Sequence, residues 1–321
     1  MVNKEHRMIK GEVELKKDLR IVYMGTPEFA VPSLEILVEN GWNVVGVITA
    51  PDKPKGRGQN LLPSPVKEAA LKHRLKVLQP TNLKSPEFQE ELRSLKADLQ
   101  IVVAFRMLPE TVWNMPPLGT FNLHASLLPD YRGAAPINWA VINGEKETGV
   151  TTFFLKHEID TGSVIFQEKI QILEEDDLGS VYEKLMNLGS ELVLRTVEAI
   201  AKNEVNPSIQ DETKALHHAP KIFKETCEMD WNKSAESIHN LVRGLCPYPA
   251  AWTTLDGKTC KIFKTKISSG HIQGKSTGEF ETDGKTSLKF QTGDGILEIL
   301  ELQLEGKKRM KIEDFLRGYN F

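Results

Sequence analysis

The sequence predicts an α/β protein, a doubly wound, mostly parallel sheet domain followed by a small OB-like β-barrel domain. In the N-terminal half, short β-rich runs alternate with helical stretches, the pattern of a parallel sheet covered by helices. Towards the C-terminus, closely spaced short strands are separated by Asp-Gly turns, the pattern of a small barrel. The length of 321 residues is what two domains of ordinary size require.

Residues 1–18 are polar and charged, with Glu5, Glu12, Glu14 and Asp18. They lack the apolar stretch of a secretory signal, and their acidity argues against a transit peptide. They read as an extension ahead of a first domain at residues 19–205. Residues 19–23 form a buried-strand pattern, broken by Met24-Gly25-Thr26-Pro27, and residues 29–38 read as a helix. Residues 44–49 and 99–104 are further β-rich runs, with helices at 64–73 and 87–95 between them. Gly25 opens no G-x-G-x-x-G fingerprint, so a tight strand-to-helix turn stands beside only weak support for dinucleotide binding. Residues 50–65 carry four prolines, Gly56 and Gly58, and the cations Lys53, Lys55 and Arg57 against a single acid, Asp52. A βα connection usually needs only a few residues, so a loop this long and cationic reads as a binding device in preference to padding. The domain continues through residues 153–155, a hairpin-like stretch at 164–172 and a helix at 178–201. Residues 206–225 are polar, contain Pro207 and Pro220, and read as a linker. The second domain, residues 226–321, opens with a helix at 234–243. Strands follow at 252–255, 259–267, 278–282, 287–291 and 296–304, with turns at Asp256-Gly257, Asp283-Gly284 and Asp294-Gly295.

A hydrophobic content of 40% and a charged content of 26% are those of a soluble globular protein. The formal net charge of −3 excludes a uniformly basic nucleic-acid coat but leaves room for a local basic groove. No apolar run approaches the ~20 residues that cross a bilayer. Cys227, Cys246 and Cys260 are odd in number and lack metal-ligand spacing, which suits a reducing cytoplasm and predicts no metal site.

The chemistry concentrates in Asn122-Leu123-His124-Ala125-Ser126-Leu127-Leu128-Pro129. Asn122 and His124, two apart at the end of a strand-like run, point to one face. An amide donor beside an imidazole can hold an oxygen that gains negative charge, as acyl transfer requires. Ile159-Asp160-Thr161-Gly162 adds a carboxylate in a Gly-terminated turn. Taken singly, the histidine reads as a structural side chain, the asparagine as a strand-end cap and the aspartate as a turn residue. The three together are the specific signal.

These residues resemble the active site of the folate-dependent formyltransferases, and the resemblance extends along most of the chain. It includes Met24-Gly25-Thr26-Pro27-Glu28-Phe29-Ala30, Pro51-Asp52-Lys53-Pro54 with Gly56-Arg57-Gly58, Pro63-Ser64-Pro65-Val66-Lys67 and Arg132-Gly133-Ala134-Ala135-Pro136-Ile137. It continues through Gly149-Val150-Thr151 and, in the second domain, Asp230-Trp231, Arg243, Pro247, Pro249, Trp252, Gly293-Asp294-Gly295-Ile296-Leu297 and Gly306-Lys307-Lys308 with Met310. The second domain and the cationic loop are similar to the branch that formylates methionyl-tRNA. Three departures stand out: Ala125 replaces a usual Gly, the segment from Phe105 to Pro109 is one residue short, and Gln59-Asn60 replaces common lysines.

The resemblance implies transfer of a formyl group from the co-substrate 10-formyltetrahydrofolate to the α-amine of initiator methionyl-tRNA, without a metal. Asn122 and His124 would hold the oxyanion. Asp160 would pair with a charged His124 or relay the amine proton. Ser126, Leu127, Leu128 and Pro129, with Phe105, Arg106, Met107 and Leu108, would line the pterin slot. Lys53, Lys55 and Arg57, with Lys307, Lys308 and Arg309, would meet the tRNA, and the enzyme would be a cytoplasmic monomer. A sugar-nucleotide or purine-precursor formyltransferase, or a formyltetrahydrofolate hydrolase, would use the same trio.

Overall fold

The structure, a computed structural model, describes residues 18–55, 60–319 and 321. Arg57 and all of the N-terminal extension but Asp18 lie outside the described residues, as does the side chain of Lys55.

The sheet domain begins with β1 (Ile21–Gly25), α1 (Val31–Glu39) and β2 (Val44–Ile48). The cationic loop then forms a short hairpin of β3 (Lys53–Lys55) and β4 (Asn60–Leu62). Next come α2 (Pro65–Lys72), β5 (Val77–Leu78), α3 (Pro86–Ser94) and β6 (Leu99–Val103). Both α2 and α3 start where the sequence places a Ser-Pro pair. Ser64 and Ser85 accept hydrogen bonds from the backbone N–H groups of Lys67 and Phe88, and proline at the first helical position gives up no needed donor. After α4 (Glu110–Trp113) and β7 (Thr120–His124), a two-residue strand β8 (Arg132–Gly133) leads into α5 (Pro136–Ile142). The antiparallel pair β9 (Glu147–Phe154) and β10 (Val164–Gln171) is followed by α6 (Leu178–Ala201), which starts on a capping box of Asp177 and Ser180.

The seven strands of the main sheet run in the order β10-β9-β7-β6-β1-β2-β5. Strands β7, β6, β1, β2 and β5 are parallel, while β9 and β10 add an antiparallel edge. Helices cover both faces, so β1 and β6 are buried along their whole length and read as continuous apolar runs. From β1 the chain winds outward to β5, then returns to β6 on the other side. Open α/β sheets bind ligands at such a reversal, beyond the C-terminal strand ends. Gly25 sits there because a Cβ would lie 2.7 Å from Ala30 Cβ and 3.1 Å from Val103 O, which accounts for it without a dinucleotide.

Beyond α6 comes β11 (His218–Ala219), which pairs in parallel with β8. The stretch expected to be a plain linker is therefore laid against the first domain. The remaining elements are α7 (Ala235–Leu245), β12 (Ala251–Leu255), β13 (Lys258–Ser268), β14 (Phe280–Thr282), β15 (Leu288–Gln291), β16 (Ile296–Leu304), β17 (Met310–Lys311) and α8 (Ile312–Leu316). Their antiparallel sheet has the order β12-β13-β16-β15-β14, with β17 on β16. Its end strands β12 and β14 share no backbone pairing among the described residues, so the sheet is open along that edge. Ile238, Val242 and Leu245 of α7 join Ile262, Leu297, Ile299 and Leu302 in a separate core. The two parts meet where α5 crosses α7. Gly244 leaves no room for a Cβ beside Ile142, and Asn138 Nδ2 donates to Gly244 O at 2.9 Å.

Cys227, Cys246 and Cys260 are free and buried, and burial pushes the Cys246 and Cys260 thiols up to about 12. Such thiols stay protonated and unreactive at neutral pH. On α7, His239 Nδ1 lies 2.7 Å from Thr265 Oγ1, and burial, helped by Arg243, pushes its imidazole down to about 4. The unfolded chain binds this proton below ~6.5, whereas the folded chain resists it until about 4. His239 therefore contributes stability above the unfolded value, and that contribution is lost as pH falls towards 4. Melting temperatures measured from pH 7 to 4 should fall less steeply for His239→Gln than for the wild type. Parallel slopes would remove this role.

Candidate active site

A cleft of about 1000 Å³ opens beyond the C-terminal ends of β1, β6 and β7. Asn122 and His124 line it from β7, Phe105 to Leu108 from the turn after β6, and Asp160 from the turn between β9 and β10. Lys221, Ile222, Tyr248 and Pro249 close it from beyond the sheet domain.

Strand β7 is interior, with Asn122 registered against Val102 of β6 and Phe153 of β9, and His124 against Thr151. Its alternation sends Phe121 and Leu123 into the core under α6 and Asn122 and His124 to the cleft. Gly189 of α6 makes that packing close, since a Cβ there would lie 2.7 Å from Leu123 Cδ2.

His124 Nε2 lies 2.9 Å from the backbone oxygen of Tyr131. A carbonyl can only accept, so Nε2 carries a proton. The other nitrogen, Nδ1, faces Asp160 Oδ2 at 3.9 Å, beyond hydrogen-bond range. In the neutral ring Nδ1 is thus an open lone pair beside a carboxylate. The two side chains are 7% and 12% exposed. Asp160 Oδ2 accepts from the backbone N–H of Gly133 at 3.1 Å. Asp160 has φ +55°, a left-handed conformation that costs about 1–2 kcal/mol for a residue with a Cβ. Gln210 holds the turn by donating from Nε2 to Asp160 O and Gly162 O, both at 2.8 Å. Gly162 is required there because a Cβ would overlap Phe154 O.

Ser126, Leu127, Leu128 and Pro129 do not line the cleft. Ser126 Oγ donates to Asp130 O at 2.7 Å, and Thr151 Oγ1 donates to Ser126 O at 2.6 Å. Gln167 Nε2 donates to Leu128 O at 2.8 Å, so the loop is fastened down onto β9 and β10. Phe105, Arg106, Met107 and Leu108 do line the cleft, with Met107 73% exposed. Arg106 is anchored by donating to Pro80 O and Thr81 O. Among the cations, Lys53 is exposed on β3, and its acidic neighbour Asp52 is tied to Lys67 at 2.6 Å. Lys307 and Lys308 are exposed in the turn after β16. Arg309 is committed within that domain: it gives two hydrogen bonds of 2.8 Å to Glu301 and lies 4.2 Å over the Phe263 ring. None of these described cations lines the cleft.

Among the described residues no group of three or more His, Cys, Asp or Glu is placed to hold a metal ion. No described helix is long and apolar enough to cross a membrane.

The sequence model described as Formyl transferase matches residues 19–197, and that described as Formyl transferase, C-terminal domain, matches residues 221–320. The chain belongs to the formyl transferase family. Methionyl-tRNA formyltransferase of Phocaeicola vulgatus is 61% identical over 316 residues, covering 95% of this chain and 97% of that one. The enzyme of the same name from Bacteroides fragilis is 57% identical over 314 residues, covering 95% and 96%. The crystal structure of the N-formyltransferase from Helicobacter canadensis in complex with folinic acid and dTDP-3-aminofucose has the same fold, with a TM-score of 0.67 and 21% identity. The match covers 91% of this chain and all 100% of that chain.

Sequence reasoning passed over several residues that this formyl transferase places at the cleft or directly behind His124 and Asp160. Tyr248, 79% exposed at the rim, had a signal in Cys-Pro-Tyr-Pro, an aromatic held between two prolines. Gln210 and the Tyr131 carbonyl had none, because a polar residue in a polar stretch and a backbone oxygen leave no trace in periodicity.

Proposed function

We propose that this formyl transferase moves the formyl group of 10-formyltetrahydrofolate to the α-amine of initiator methionyl-tRNA, forming N-formylmethionyl-tRNA. One observation carries the choice of acceptor: the relatives named methionyl-tRNA formyltransferase align over both parts of the chain. The folate donor is supported by neighbours of the same fold that were solved with folates.

The free amine, with a pKa of ~8, has a usable neutral fraction at pH 7. It attacks the formyl carbon and leaves an oxyanion, to which the Asn122 amide donates. Nε2 of His124 is occupied by the Tyr131 carbonyl, so in place of the oxyanion role expected from sequence the ring acts through Nδ1, which takes the proton of the new ammonium. The resulting imidazolium faces Asp160. When the bond from the formyl carbon to the folate nitrogen breaks, that proton goes to the leaving nitrogen. The pterin is held by the wall from Phe105 to Leu108. Ser126 to Pro129 support β7 from beneath. Lys53, Lys55 and Arg57 of the cationic stretch at residues 50–65, with Lys307 and Lys308, meet tRNA phosphates, and Arg309 braces the last turn.

The test is an incubation with 10-formyltetrahydrofolate and initiator methionyl-tRNA, followed by mass analysis of the released aminoacyl group. N-formylmethionine is expected. Formate released without any acceptor would identify a hydrolase, and transfer only to an amino-sugar nucleotide would place the enzyme in the sugar branch.

A further inference from the structure

We infer that Gln210 is a positioning residue for Asp160, so that the stretch joining the two parts of the chain also builds the transfer centre. The inference rests on the reading of Asp160 and His124 given above.

Gln210 lies 50 positions from Asp160 in the chain and is 6% exposed. Its amide is used at both ends. Nε2 spends its two hydrogens on Asp160 O and Gly162 O. Oε1 accepts from Arg132 Nε at 3.1 Å and Nη2 at 2.5 Å. A guanidinium only donates and a carbonyl only accepts, so these partners settle which way the amide faces. Arg132 also pairs with Glu212 at 2.8 Å, which closes the clip. Arg132 precedes Gly133, whose N–H holds Asp160 Oδ2. The clip therefore grips the aspartate twice, by its backbone through Gln210 and by its carboxylate through the neighbour of Arg132. The stretch is fixed on either side of Gln210. Ser208 exchanges two backbone hydrogen bonds with Val164, and Ala219 O accepts from Ala134 N and Ala135 N. A left-handed aspartate needs such restraint to keep its carboxylate aimed at His124 Nδ1.

The chemistry separates the variants. Methionine fills a similar volume without hydrogen bonds. Glutamate keeps the Arg132 partner but sets a carboxylate against two carbonyls. We would measure kcat, KM for methionyl-tRNA, tRNA affinity and Tm for Gln210→Met, Gln210→Glu, Asp160→Asn, and Gln210→Met combined with Asp160→Asn. Both Gln210 variants should lower kcat by on the order of 10²-fold, the scale of a misplaced catalytic group, with tRNA affinity unchanged. The double variant should be no slower than the slower single one, since one residue acts through the other. Wild-type kcat in a folded Gln210 variant would overturn the inference, as would losses that multiply in the double variant or a loss confined to KM. Should Gln210→Met fail to fold, Gln210→Glu carries the test, because it retains the Arg132 contact. Wild-type kcat in Asp160→Asn would instead strike the reading of Asp160 itself, and this inference with it.

Discussion

Asn122→Ala is expected to lower kcat by on the order of 10²–10³-fold with little change in Tm, the usual effect of losing one oxyanion donor. The expectation rests on where β7 puts the amide. Asn122 is on an interior strand, registered between Val102 and Phe153, and alternation turns it to the cleft. His124→Ala and Asp160→Asn should each cost on the order of 10²-fold or more in kcat, but Asn122 is the cleaner probe. The His124 ring also satisfies the buried Tyr131 carbonyl, and removing it leaves an acceptor unpaired at about 1–3 kcal/mol. Steady-state turnover at saturating substrates, with a melting curve for each variant, separates the two effects. Near-wild-type turnover in a folded Asn122→Ala protein would end the oxyanion role.

The second large effect comes from where the chain is cut. By composition, residues 206–225 could be removed without touching the first domain. In the structure they supply Gln210 to the Asp160 turn and β11 to β8, and the His217 N–H donates to Asp130 Oδ1 at 2.6 Å beside the Tyr131 carbonyl. A chain ending after Asn203 should therefore lose formyl transfer and most folate affinity. One ending after Lys221 keeps these contacts and should still bind folate. Both lack the second part and should bind tRNA more weakly by on the order of 10-fold or more at physiological salt, because the Lys307 and Lys308 contacts are gone. Folate and tRNA titrations of the two chains decide the matter. Equal folate binding would show the joining stretch to be dispensable. Full tRNA affinity in the longer chain would remove the RNA-binding role of the second part.

Much of this architecture can be read from local pattern. The helix expected at 178–201 has those bounds, since its cap at Asp177 and its apolar stripe are both encoded within the element. Ser64-Pro65 and Ser85-Pro86 announce their helices for the same reason. Asn122 and His124 reach a common face because a strand has period two. The loop from Ser126 to Pro129 shows where such reasoning stops. Its apolar residues suit a ligand slot as well as a packed turn, and only the hydrogen bonds from Thr151 and Gln167 turn it away from the cleft. Gln210 is less accessible still, since its partners are far away in sequence and nothing local marks it.

The interior position of β7 has an evolutionary consequence. Asn122 and His124 are carried on a backbone held by two ladders and by the packing of Phe121 and Leu123 under α6, so the placement of these two side chains is hard to shift by small steps. The cleft rim and the parts proposed above to meet the acceptor are attached differently. The β3–β4 hairpin, the Tyr248 corner and the last basic turn stand outside the main sheet, and each can change length or charge without shifting its register. Natural variation and directed evolution thus have an open path to new acceptors through the rim, while the centre that moves the one-carbon unit stays as it is.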